Sequence, residues 1–502
     1  MAPAFTDAYV TLYSYDALGN LLRVDQKGSA PDDNTKWRTR TFTYDSLSRL
    51  LTATNPESGT INYSHDANGN VLQKASPAPN QTGSATQTIS YCYDPLNRVT
   101  GKAYSPQSCQ NGQLPSGTAV VSYLYDQTSY QGLTINNGIG KLTGLIDQAG
   151  NGAYSYDTVG RIASESRTIA GIQKSLSYTY NLDGSIKTVT NPSGAVITYT
   201  ADAAGRPVSA VDSGNGINYV TGSTGPGSNA AYGADGSLLS YTNGYTNTFA
   251  GISNSFSYNK RLQPVNMLAT TPSATVFSIG YDFHVGNGDN GNVYGITNYR
   301  DSTRNQTFTY DVLNRLTSAQ NAGADCTQTT VNGRTKFWGN SYGYDPWGNL
   351  LQKTPTKCSA ENLSVSVLTN NQLIGYAYDS AGNMTHDATT GNNYSYDQEN
   401  RITGAGGYTY TYDANGNRVE KSTGGSSPTG TLYWYMSPGI VAESDLTGAL
   451  KSEYVFFDGA RVARKDFSGS SISVSPSLFL ALVSRSFPTF RAGKRQIIPT
   501  KW

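Results

Sequence analysis

"FTYDSLSRL" at residues 42–50 returns as "FTYDVLNRL" at residues 308–316. A catalytic site is normally written once in a chain, whereas a building unit is written many times. The phrase proves to be the second kind. Its core, Tyr-x-Tyr-Asp, recurs as "YSYD" 13–16, "YCYD" 91–94, "YLYD" 123–126, "YSYD" 154–157, "YGYD" 342–345, "YAYD" 376–379, "YSYD" 394–397 and "YTYD" 410–413. "YTYN" 178–181 and "FSYN" 256–259 are weaker versions. The framework pairs are Tyr15/Asp16, Tyr44/Asp45, Tyr93/Asp94, Tyr156/Asp157, Tyr310/Asp311, Tyr344/Asp345, Tyr378/Asp379, Tyr396/Asp397 and Tyr412/Asp413. An array this regular marks a repeat architecture.

Each letter of the phrase has a physical task. Alternation with period two puts both rings of Tyr-x-Tyr on one face of a strand. The Asp ends the strand, where its carboxylate accepts a backbone N–H two residues on. Gly or Asn three positions later takes positive φ, as a short hairpin loop closed by a bulge requires. An aliphatic residue then starts the return strand, as in "YDALGNLL" and "YDTVGRIA". A second turn joins one phrase to the next: in "TNPESGTINY" (54–63) and "TNPSGAVITY" (190–199), Asn-Pro opens it and Gly closes it. The spacing from Asp45 to Asp66 equals that from Asn181 to Asp202. The unit is a β-hairpin with its connection. A lone hairpin is barely stable in water, so the units must extend a common sheet.

Composition agrees. Of 502 residues only 14% are charged, against roughly 25% in an average globular chain. With 53 Gly and 37 Tyr, the chain is poor in helix formers and rich in turn and strand formers. We expect an all-β protein with almost no helix before residue 470: a long antiparallel sheet of repeated hairpins. The net charge of +1 gives no nucleic-acid footprint. No apolar run is long enough for a transmembrane helix, and the amino terminus lacks the features of a signal peptide.

These phrases resemble the bacterial RHS repeats, also called YD repeats, which are shared with the shell of teneurins. The resemblance covers about residues 9–466. It implies a sheet wound as a spiral into a hollow shell, here an incomplete one, and in bacterial toxins such a shell encloses a toxic carboxy-terminal domain. The implied partners are further repeats or a toxin cargo of a longer parent protein, secreted or at the cell surface. Spacing alone shows only the hairpin array.

Other motifs are weaker. "GNGDNG" (286–291) fits G-x-G-x-x-G, but "NVYGITNYRD" after it reads as strand and turn instead of helix. Asp289 with Asn290 and Asn292 offers one carboxylate, too few for Ca²⁺. "NGIGKLTG" (137–144) lacks the P-loop spacing. "GNSYG" (339–343) centres on Ser341, yet a nucleophile elbow needs a helix after its strand, and a repeat turn follows instead. His65 replaces a motif Tyr in "YSHD", while His284 and His386 stand alone. We therefore expect no catalytic site, no metal and no cofactor. The Tyr rings suit a sheet whose inner face lines a wet cavity. A carbohydrate- or cell-surface-binding module is the alternative function, and a hydrolase at Ser341 comes third.

Cys109 and Cys326 follow Asp94 and Asp311 at the same interval, in two copies that share "LNR". With Cys92 and Cys358 as neighbours, two local disulfides are expected, Cys92–Cys109 and Cys326–Cys358; buried free thiols are the alternative. The pattern stops after "YVFFDGARVARKDFSGSS" (454–471), which sets a repeat domain over 1–471 and a separate tail over 472–502. The tail contains no Tyr, Asp or Glu, carries five Lys and Arg residues, and lacks the closing core and self-cleavage Asp residues of the family. We expect it to be loosely attached and the gene to be truncated or frameshifted.

Overall fold

The structure is a computed structural model and describes residues 10–467 apart from 31, 110–111, 287–289, 331–332 and 437–438, with the backbone of 472–473. The tail beyond Ser473 therefore lies outside the described residues. Strand follows strand throughout, and the only helical pieces among the described residues are two 3-10 turns, Asn34–Lys36 and Ser302–Arg304.

The hairpin reading holds at the level of register. Arg38–Tyr44 pairs antiparallel with Leu50–Asn55, with a bulge between Thr43 and Tyr44. Gln306–Tyr310 and Leu316–Asn321 repeat this pairing, with the bulge between Thr309 and Tyr310. The bulge always precedes the motif Asp, because the turn must place one residue at positive φ: Ser48 and Asn314 at 60° and 59°, Gly160 at 86°. Connecting turns work as read, with Asn55 opposite Gly59 and Gly194 N–H donating to the Asn191 carbonyl. The copy at 123–126 departs: Asp126 itself takes positive φ, and a small hairpin of Ser129–Tyr130 and Leu133–Thr134 is inserted after it.

Nearly every strand pairs with its sequence neighbour, and all pairings are antiparallel. One continuous sheet runs from Thr11–Tyr15 to Leu363–Ser364, and a second from Tyr394–Tyr396 to Ile472–Ser473. The long sheet curls until the later repeats lie on the earlier ones. Trp347 Nε1 donates to the Gln26 carbonyl, Ser380 N–H to Gln81, and Tyr199 OH to the Phe456 carbonyl. As the first partner advances from 26 to 199, the second advances from 347 to 456. Both windings thus travel the same way, which makes the fold a spiral. It is an open sheet, not a closed barrel.

The apolar core sits along this seam. One cluster joins Tyr219, Tyr241 and Met267 of the first winding to Val455, Phe457 and Val462 of the second. Another joins Ile169 and Leu176 to Val419, Leu432 and the fully buried Trp434. Away from the seam the strands alternate half-buried and exposed residues, as in Leu350–Lys357. Both expected disulfide pairs are present, with Cα separations of 5.6 Å for Cys92–Cys109 and 5.1 Å for Cys326–Cys358.

The seam sets Gly382 apart from its equivalent at an open turn. Gly19 and Gly382 occupy the same turn position at φ 83° and 82°, but a Cβ on Gly19 meets nothing, whereas one on Gly382 would strike the Glu57 carbonyl oxygen. Left-handed backbone costs an alanine about 1–2 kcal/mol at either site. Gly382→Ala should therefore lower the denaturation midpoint clearly more than Gly19→Ala; equal losses would mean that the windings do not touch there.

Candidate functional site

The recurring chemistry of the repeat is a latch between neighbours. In each turn the Asp carboxylate gathers several donors. Asp157 Oδ1 accepts the N–H of Val159 (3.0 Å) and of Arg161 (2.9 Å), and Oδ2 accepts Arg161 Nε (2.6 Å). Asp45 and Asp94 do the same with Arg49 and Arg98, as do Asp311 with Arg315 and Asp397 with Arg401. The Arg49 N–H, joined by its guanidinium and the Leu47 N–H, holds the Asp45 carboxyl below the usual range. Where Asn takes the i+4 place, its side-chain amide replaces the guanidinium, as at Asp16, Asp345, Asp379 and Asp413. Asn259 replaces Asp and pairs instead with the Gln263 amide.

The i+4 arginine also reaches forward. Arg315 donates to the Asp345 carbonyl and lies 4.9 Å over the Tyr344 ring; Arg401 donates to the Asp413 carbonyl and lies 5.0 Å over Tyr412. The motif tyrosine reaches back. Tyr93, Tyr156, Tyr310, Tyr396 and Tyr412 each donate the phenol O–H to a backbone carbonyl of the preceding repeat, those of Val71, Leu142, Val293, Met384 and Ile402. Burial pushes the Tyr396 phenol up to about 12, so it remains a donor. The tips of these five rings are engaged between repeats.

A second set of groups, most of them outside the motif, spans the seam. Asn80 N–H donates to Asp379 Oδ2 (2.7 Å), and Ala414 N–H to Asp147 Oδ2 (2.8 Å), with Asp147 also ion-paired to buried Arg167. Ser193 donates through N–H and Oγ to Glu453, both at 2.6 Å. Glu399 accepts from Lys102 Nζ and from Tyr104 OH. Burial raises the Glu399 carboxyl, but the Lys102 and Tyr104 hydrogen bonds and the charges of Lys102 and Arg401 outweigh it and leave it lowered. Burial dominates at Glu453, whose carboxyl is raised despite the Ser193 bonds. Next to this seam lies a cavity of about 420 Å³, walled by Leu176, Tyr178, Ile197 and Tyr199 on one winding and Val441 and Phe456 on the other.

The remaining candidates stay in repeat context. Ser341 sits within the strand Gly339–Tyr344, opposite Ser318 on one side and Thr354 on the other. His284 stacks on Tyr294 and lies 3.3 Å from Asp282; His386 bonds Asn393. His65 packs into the wall with Nδ1 buried. Asp289 and part of "GNGDNG" lie outside the described residues, while Asn290 and Asn292 bond Asn314 of the next turn. Lys141 closes the turn from Gly138, with its amino group 5.8 Å from the Tyr156 ring.

No family model and no curated protein matches the chain. Solved structures do. The crystal structure of TcdB2-TccC3-Cdc42 matches with a TM-score of 0.68 at 17% identity over 93% of this chain. TcdB2-TccC3 without its hypervariable C-terminal region matches at 0.66 and 16% identity over 92%. The Photorhabdus luminescens Tc holotoxin pore carrying TccC3-D651A matches at 0.62 and 16% identity over 92%. The chain spans only about a quarter of the length of these proteins, 25–26%. At such identity the likeness is one of fold.

The seam carboxylates give opposite pH signatures. Glu399, with its folded-state value depressed, stabilises above the ordinary glutamate range and loses that contribution as pH falls through the folded value. Glu399→Gln should cost about 1–3 kcal/mol at neutral pH, a gap that narrows in acid. Glu453 is raised, so the wild-type side chain gains stability as pH falls, and Glu453→Gln should be tolerated better at neutral pH. Urea midpoints of the two variants across pH 3–7 (a range of about four units) check both signs; parallel profiles would refute the assignment.

Proposed function

We propose that this chain is a non-enzymatic wall segment of an RHS-type shell that encloses a polypeptide cargo within a toxin system. The observation that carries this reading is the spiral itself: one antiparallel sheet of latched hairpins, wound back on its own edge, with the fold of the Tc toxin chains over 93% of its residues. A wall needs rigidity without a filled interior, and the latch provides it by holding each repeat through Asp, Arg and Tyr to the next. Among the described residues no helix is long and apolar enough to cross a membrane; export with a longer parent protein is part of the proposal.

The absence of catalysis belongs to the same reading. Ser341 lies in a paired strand, and its neighbours across the sheet are Ser318 and Thr354. A fluorophosphonate probe should leave Ser341 unlabelled. Electron cryo-microscopy of the complete translation product containing this chain should show the spiral continuing as a closed wall around density that is not part of the sheet. A wall with no enclosed polypeptide, together with specific retention on a glycan array, would instead establish the carbohydrate-binding alternative.

A further inference from the structure

The cavity beside the seam takes its walls from both windings. One wall is the face of the first winding that carries Tyr178, Tyr180 and Tyr199, and the other is the hairpin end around Val455, Phe456 and Asp458. Every lining residue falls between Ile162 and Gly459 and is described, so no wall depends on further chain. The volume of about 420 Å³ is roughly three times that of a cavity of about 150 Å³, which holds a single benzene ring. About two or three fused rings therefore fit.

Hydrogen bonding narrows the ligand further. The lining tyrosines have already placed their O–H groups: Tyr178 on Glu165, Tyr180 on the Ile162 carbonyl, Tyr199 on the Phe456 carbonyl and Tyr454 on Glu443. What they offer the cavity is ring surface. Ser185 is likewise engaged, by Asp183 and Asn181. Asn191 is the exception. It lines the cavity at only 7% exposure, and its side-chain amide has no hydrogen-bond partner among the described residues. Buried amides are normally paired, so this one marks the place where a ligand's polar atom gains most. The single charged side chain of the lining is Asp458, which with Ile186 and Gly459 forms its exposed part and so its mouth. No cation lines the interior to pair an anionic ligand.

We propose that this cavity is a binding site for a small, neutral, ring-bearing molecule with one hydroxyl or carbonyl group. Its rings lie against the tyrosine faces, and its polar atom bonds the Asn191 amide. Because the ligand touches both windings, it stabilises the seam by mass action. This inference rests on the cavity and not on cargo enclosure, so its failure would leave the shell reading untouched.

Naphthol is the probe, with naphthalene as the same rings lacking the hydroxyl and naphthalenesulfonate as the anion. Isothermal titration of the full chain should show saturable binding of naphthol, about threefold to tenfold tighter than naphthalene, the margin of one hydrogen bond. The sulfonate should not bind, and the thermal midpoint should rise with naphthol concentration. Two variants locate the site. Ala201→Phe, at a half-buried lining position, fills the cavity and should weaken naphthol at least about tenfold. Asn191→Leu removes a side chain that bonds nothing in the protein, so its circular dichroism spectrum should be unchanged. It should leave naphthalene binding as it was and erase the preference for naphthol. Absence of saturable naphthol binding, sulfonate binding as tight as naphthol, or a preference that survives Asn191→Leu overturns the proposal. A folded Ala201→Phe chain that binds naphthol undiminished does the same, since the probe would then sit elsewhere.

Discussion

The Asp carboxylate of the motif turn is the interaction on which the rest depends. A hairpin turn leaves backbone N–H groups pointing inward with no strand partner, and burying them unpaired would cost more than the turn gains. One carboxylate satisfies two of them and holds the i+4 side chain as well, as Asp311 does for Leu313 and Arg315. With the turn fixed, the arginine has a defined direction, and that direction is the next repeat. The Tyr ring it covers reaches back in turn to the repeat before. Three side chains thereby convert a row of marginal hairpins into one continuous wall.

The wall then has to bury its edges. Edge strands and turn rows invite uncontrolled pairing unless something covers them. Here the covering comes from the chain itself, one winding later. Because neighbouring windings present different edges, motif turns above and connecting turns below, the seam is heterologous and is stitched by irregular groups. Glu399 with Lys102, Glu453 with Ser193 and Asp147 with Ala414 are each used once. The two apolar clusters lie where these stitches run, so packing and polar pairing share one surface. Asp147 illustrates the balance: it is buried with Arg167, and the Ala414 N–H occupies part of its remaining acceptor capacity. Removing either partner of such a pair would leave the other charge buried and uncompensated.

Local geometry was readable from the chain because it repeats. Period-two Tyr alternation, the Asx turn, positive φ at Asn97 and Asn314, and the Asn-Pro connecting turns were all legible, since each depends on residues within five positions; positive φ at Ser48 was not, because Ser is not a residue that position selects. The cysteine pairing was legible from the repeat: Cys109 and Cys326 stand at equal offsets from two motif Asp residues, and each has one other cysteine nearby in the chain. The partners of the Tyr hydroxyls were not legible. Alternation tells which face a ring takes, but not that a carbonyl of the preceding repeat stands at hydrogen-bonding distance from its tip.

The amino-acid sequence by itself determined the hairpin, its turns, its order along the sheet and the all-β class, because those follow from short-range sterics and hydrogen bonding. Tertiary structure alone decided the curvature of the sheet and therefore which residues meet across the seam. Trp347 and Gly28, or Glu453 and Ser193, lie hundreds of residues apart, and nothing in either local phrase specifies the other. Their pairing depends on small twists summed over many strands, a quantity that no single repeat encodes. For the same physical reason identical turns acquired different fates: the Asp157 turn stayed at an open edge, while the Asp379 turn was buried against Asn80.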